Sequence, residues 1–220
     1  THDQLEAMTL ATRICLMNNA VVNQLDAPLT VYKKPVNLFA ADFVGNPTMN
    51  FIPGKVTNLY DDVVGIKFLG VNAKFHVKEK IKDLSELGNK VVIGIRPEFL
   101  PIVDNGKLSG TAYSTLPTGM ETTVKIDFKG DILSSVVFGS IDYDVDEKID
   151  FDIVGDSIII FNANTKENIA LGSIEVLEVG EKELDEEDEI ELVAEGSNPN
   201  ANVDESKKGF FKKLFGKKKK

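Results

Sequence analysis

Val91-Val92-Ile93-Gly94-Ile95-Arg96-Pro97-Glu98 is the stretch on which the reading of the fold turns. It holds an apolar run too short for a core helix, ended by an Arg-Pro step that favours extended backbone. Similar runs recur on both sides of it: Gly54 to Val56, Val63 to Phe68, Lys74 to Val77, Thr122 to Phe128, Leu133 to Phe138, Asp150 to Val154 and Ser157 to Phe161. Gly, Asn and Asp separate them, as turns require. Many short strands at this spacing predict an all-β barrel or sandwich over residues 47–180. Lys78 to Leu87 reads as one short helix between strands.

Residues 1–46 have a different texture. Asp3 and Glu6 favour a helix start, and Leu5, Met8 and Ala11-Thr12 recur near helical spacing, which predicts one buried face. Ile14-Cys15-Leu16-Met17 predicts a buried strand, Asn18-Asn19 a hairpin turn, and Val21-Val22 the returning strand. Pro28 and Pro35 bracket a short helix, Leu29 to Lys34. The fold class expected is therefore α+β, mainly β, with a small mixed segment ahead of the β domain.

The chain has 220 residues and a formal net charge of −10, but the charge is uneven. Eight of the 25 basic residues are lysines between Lys207 and Lys220, so residues 1–206 hold 17 basic against 35 acidic side chains, or −18. A body this acidic repels phosphate backbones and argues against a nucleic-acid partner. No apolar run approaches the roughly 20 residues that cross a bilayer, and Asp3 and Glu6 stand where a signal peptide would need positive charge. The single Cys15 excludes an internal disulfide and fits a reducing compartment. A first residue Thr rather than Met suggests a fragment or processed product. Residues 181–206 read as an acidic linker, and Lys207 to Lys220 as a basic amphipathic tail with Phe210, Phe211, Leu214 and Phe215 on one arc.

Thr1-His2-Asp3-Gln4-Leu5-Glu6-Ala7-Met8, Ala11-Thr12-Arg13-Ile14 and Phe39-Ala40-Ala41-Asp42-Phe43-Val44-Gly45-Asn46-Pro47-Thr48-Met49-Asn50 occur in that order. Together they resemble the end of the ATPase domain in ABC importers of the maltose and multiple-sugar type. Gly94-Ile95-Arg96-Pro97-Glu98 resembles a segment of the OB-type regulatory domain attached to those ATPases, and Ile160-Phe161-Asn162 with Thr165-Lys166-Glu167 resembles its closing strand and turn. The resemblance covers residues 1 to about 178. It implies an ATPase remnant over 1–46 followed by an OB-type β-barrel. It assigns His2 as the switch histidine that contacts the γ-phosphate of ATP, both a catalytic and a nucleotide-binding role. It further implies ATP and Mg in the intact parent protein, transmembrane permease subunits and a second ATPase subunit as partners, and a place on the cytoplasmic face of the membrane. Thr12, Ala20 and Asp26 depart from the family pattern, which usually has Asp, Gly and Gly there.

Neither G-x-x-x-x-G-K-[ST] nor a Leu-Ser-Gly-Gly-Gln signature is found, so this chain alone is expected neither to bind nor to hydrolyse ATP. The alternative is a stand-alone OB-type module that binds a ligand or a regulatory protein. Asp142, Asp144, Asp146, Asp150 and Asp152 alternate with apolar residues and read as the solvated face of a strand, since an EF-hand needs Gly and Glu where Glu147 and Ile153 stand. Arg96 is read as a surface ion-pair partner of Glu98 or a neighbouring carboxylate, His76 as a polar-face residue and Cys15 as inert core. The lysine tail suits an anionic membrane surface, the acidic run at 181–191, or solvent alone.

Overall fold

A computed structural model of the chain describes residues 1–182. The predicted acidic linker beyond Lys182 and the lysine tail lie outside the described residues. Three short helices and a hairpin come first: α1 (Gln4–Leu10), the hairpin β1 (Ile14–Asn18) with β2 (Val21–Asp26), then α2 (Pro28–Lys33) and α3 (Leu38–Phe43). Pro28 opens α2, where its missing N–H costs nothing. Asn37 caps α3 by accepting from the Ala40 N–H at 2.9 Å.

Six strands then form a closed antiparallel barrel: β3 (Asn50–Tyr60), β4 (Val63–Phe68), β5 (Val71–Lys80), β6 (Lys90–Ile95), β11 (Ile158–Asn162) and β12 (Asn168–Val179). β3 closes the ring by pairing β6 through Asn50–Lys55 and β4 through Lys55–Tyr60. Closure leaves the barrel no free edge. Between β6 and β11 the chain builds a second antiparallel sheet in the order β10-β7-β8-β9, from β7 (Leu108–Pro117), β8 (Glu121–Phe128), β9 (Asp131–Phe138) and β10 (Lys148–Phe151). One core joins the two: Phe75, Ile93 and Ile160 of the barrel belong to the same buried cluster as Val124, Ile126 and Phe151 of the second sheet. Phe128 and Phe151 meet edge to face there at 5.4 Å. The predicted β-barrel is thus present, with a second sheet packed on it.

The apolar run Val91–Ile95 is now explained. Val91, Ile93 and Ile95 point into the barrel, while Val92 points outward into a second cluster with Leu38, Ala41, Met49, Ile159 and Phe161. Both faces of β6 are buried because α3 covers its outside, and a strand buried on both faces reads as continuous apolar sequence. Gly94 lets this cover approach: a Cβ there would lie 2.5 Å from Met49 Sδ and 2.8 Å from Phe161.

Three expectations are corrected. Lys78 to Leu87 is not a helix: β5 continues to Lys80, held by pairing with β12, and only Leu84–Leu87 forms a 3-10 turn. Asp142, Asp144 and Asp146 lie in a loop ahead of β10, with Asp146 at φ 67°. Turn bonds from Asp144 and Asp146 hold that loop, and among the described residues no acidic cluster of metal-ligating geometry forms. The face of α1 is not buried, Leu5 and Leu10 being exposed. No helix among the described residues is long and apolar enough to cross a membrane.

Candidate functional site

Arg96 is one of the points at which the N-terminal segment is fastened to the barrel, with Asn168, which donates to the carbonyls of Pro35 and Val36, as another. It follows β6 and precedes the 3-10 turn Pro97–Phe99, so its extended backbone (φ −65°, ψ 144°) sends the side chain under α2 and α3. Only 2 % of the residue is exposed. Nη1 donates to the carbonyls of Val44 (2.6 Å) and Ala41 (3.3 Å), and Nη2 donates to that of Tyr32 (2.9 Å). The guanidinium also lies 4.1 Å from the centre of the Tyr32 ring. The predicted surface ion pair with Glu98 is therefore replaced by a buried cation held by the C-terminal carbonyls of two helices, where the helix dipole favours positive charge. Burial lowers the Arg96 pKa from its ordinary value. Gly45, at φ 118°, belongs to the same cluster, since a Cβ on it would meet Arg96 Nη1 at 2.8 Å.

Glu98 serves Tyr32 instead. The Tyr32 hydroxyl donates to Glu98 Oε1 at 2.7 Å, and burial together with that carboxylate pushes the phenol pKa up to about 12. Tyr32 and Glu98 form one wall of an open groove of about 570 Å³, whose other wall is Val136, Val137 and Phe138 of β9. Glu121 and Ile102 also line it. Nearby, Asn50 joins barrel and second sheet: its amide donates to Ser134 O (2.8 Å) and Ile95 O (3.2 Å), and its Oδ1 accepts from Ser134 N–H (2.7 Å). Neither Tyr32 nor Asn50 was singled out from sequence. The Arg-Pro-Glu step was the available signal, and it was read as a surface ion pair.

His2 stands in the open, just ahead of Asp3, which caps α1 by accepting from the Glu6 N–H at 2.9 Å. No three His, Cys, Asp or Glu side chains among the described residues come together as a metal-ligand set. His76 pairs with Glu175 at 2.8 Å on the exposed barrel wall, as its polar-face reading requires. Cys15 is corrected: it is exposed. Pairing with Leu25 places it, with Met17 and Val22, on the outer face of the β1–β2 hairpin, whereas Leu16 faces inward. Leu5, Leu10, Met17, Val21, Val22 and Leu25 are all exposed, so the N-terminal segment carries an apolar surface that no described residue covers.

A closed barrel with an attached sheet, fastened by a buried arginine to the small elements ahead of it, defines an OB-type β module. Residues 45–100 match the family model of the MalK OB fold domain. The chain is 44% identical over 102 residues to an uncharacterized ABC transporter ATP-binding protein, YcjV, of Escherichia coli O6:K15:H31, covering 44% of this chain and 26% of the relative. It is 38% identical over 124 residues to the sn-glycerol-3-phosphate import ATP-binding protein UgpC of Shigella sonnei, covering 56% and 31%. With the uncharacterized ABC transporter ATP-binding protein YurJ of Bacillus subtilis the identity is 30% over 179 residues, 77% of this chain and 48% of the relative. The chain carries a MalK-type OB domain and is homologous to ABC transporter ATP-binding proteins. It spans about a quarter to a half of the length of these curated relatives.

Proposed function

We propose that the chain acts as the C-terminal part of the ATP-binding subunit of an ABC importer for carbohydrate. In this reading residues 1–46 finish the ATPase domain, and the barrel with its second sheet is a regulatory and dimer-forming domain. Transmembrane permease subunits and a second ATP-binding subunit are its partners, at the cytoplasmic face of the membrane. The observation that carries the reading is the apolar outer face of the β1–β2 hairpin together with α1. Relatives that match this chain are two or more times its aligned length, and an apolar face of this kind fits against the part of them it does not span.

His2 is the residue assigned to the substrate. Exposed ahead of α1, its imidazole is free to hydrogen-bond the γ-phosphate of ATP held by the rest of the cassette, and to register whether that group is present. Arg96 has a positioning role. By gripping the ends of α2 and α3 it carries movement of the ATPase segment into the barrel as a rigid body. The test is to join this chain to the portion of YurJ that it does not span and to measure ATP hydrolysis. Turnover by the joined protein and none by the chain alone supports the reading. A joined protein that folds yet fails to bind ATP overturns it.

A further inference from the structure

We propose that the groove between Tyr32–Glu98 and β9 is the docking site of the chain's own basic, aromatic segment, Lys207 to Lys220. The groove combines an apolar wall with two carboxylates, Glu98 and Glu121. Arg96 lies behind Tyr32, but its Nη1 and Nη2 donors are turned onto backbone carbonyls and its Nε is buried. At the lip, Phe138 is 83% exposed and Met120 is 84% exposed, a costly arrangement for side chains of that size unless something covers them. β9 adds backbone polarity. Ser134 presents its N–H and C=O to Asn50, on the side away from β8, and strand alternation turns those of Val136 and Phe138 the same way, toward the groove.

The segment 207–220 is the chemical complement of this surface. It carries eight lysines with Phe210, Phe211, Leu214 and Phe215 among them, aromatic rings for the apolar wall and ammonium groups for Glu98 and Glu121. The tether has the right reach. The described chain ends at Lys182, whose ammonium is bonded to Asp131 at the start of β9, and the groove lies at the other end of that strand. Asp131 to Phe138 spans about 23 Å at the ordinary strand rise. Residues 183–206 number 24, and that many residues reach about 36 Å even at the rise of a helix, more than the length of β9. Because groove and segment belong to one chain, docking is intramolecular and does not depend on chain concentration. The acidic run within 183–191 offers charge to the same lysines, whereas the groove joins two carboxylates to an apolar wall that suits the phenylalanines. This inference does not depend on the importer reading.

Zero-length coupling of carboxylates to amines, applied to an equal mixture of unlabelled and ¹⁵N-labelled full chain at low salt, tests it by mass spectrometry of the products. The expected result is coupling of Glu98 or Glu121 to lysines of 207–220 within single chains, at a yield independent of dilution. That yield falls at least five-fold in Phe138→Ser and again in Phe211→Ser, neither of which removes a coupling group. Phe138 is exposed, so its variant keeps the fold, which circular dichroism checks. Coupling of the tail lysines only to acidic residues of 183–191, coupling only between differently labelled chains, or an unchanged yield in both variants overturns the proposal. Equal binding of anionic vesicles by wild type and Phe138→Ser, with no coupling to the groove, also overturns it in favour of a membrane surface.

Discussion

Replacing Arg96 by methionine removes its three hydrogen bonds to the N-terminal segment while keeping much of the side-chain volume. Three carbonyls, of Tyr32, Ala41 and Val44, lose their partners, and stranding each costs about 1 kcal/mol or more. The lost guanidinium–ring contact with Tyr32 adds about 1 kcal/mol. Removing a buried cation returns part of this, so the expected net loss is about 3 kcal/mol, borne first by the helical segment. Urea denaturation followed by circular dichroism should show the midpoint lowered by about 1–2 M. Hydrogen exchange should locate the loss: amides of α3 and of Val44 open about 100-fold more often, while those of β4 and β5 change less. Arg96→Lys should recover only part of the stability, because one ammonium cannot span all three acceptors. A methionine variant as stable as wild type, with α3 exchange unchanged, would refute the view that this arginine fastens the two parts together.

The other predictions concern the same junction and the turns around it. Tyr32, isolated by difference titration against Tyr32→Phe at the phenolate absorbance, should ionise near pH 12 and shift down toward 10 in Glu98→Gln. Because the folded chain keeps a phenol proton that the unfolded chain releases near pH 10, stability is unaffected below that pH and declines between about 10 and 12. Ala20 sits at φ 62° beside Asn19 at φ 49°, so Ala20→Gly should stabilise the chain by about 0.5–1 kcal/mol in thermal melts. Gly94→Ala drives a Cβ into Met49 Sδ and Phe161 and should cost about 1–3 kcal/mol. Met49→Ala in that background should recover part of it, and an additive double mutant would contradict the packing described.

The β architecture was legible because β-rich runs and turn residues act locally: β4, β6 and β11 of the barrel and β8 and β9 of the second sheet lie where those runs occur. What escaped sequence reasoning was set by long-range packing. The two-sided burial of Val91–Ile95 depends on α3, some fifty residues earlier, and nothing in the local run separates inward Ile93 from outward Val92. Arg96 was read as a surface group because charged side chains are rarely buried. The carbonyls that accept its bonds lie between Tyr32 and Val44 and carry no sequence signal. Cys15 was misplaced for the opposite reason: strand alternation gives two faces to an apolar run, and the described residues cover the Leu16 face and leave the Cys15 face exposed. Lys78 to Lys80 follow β12 against their helical preference, as pairing commonly overrides propensity.

The assignment of His2 is tested most directly by single-turnover ATP hydrolysis in the protein that joins this chain to the rest of a related cassette, comparing His2 with His2→Gln. The account predicts unchanged ATP affinity with a rate lowered by about 100-fold or more, because an imidazole at the transferring phosphoryl group acts on the reaction and little on binding. Equal rates for the two proteins would contradict it.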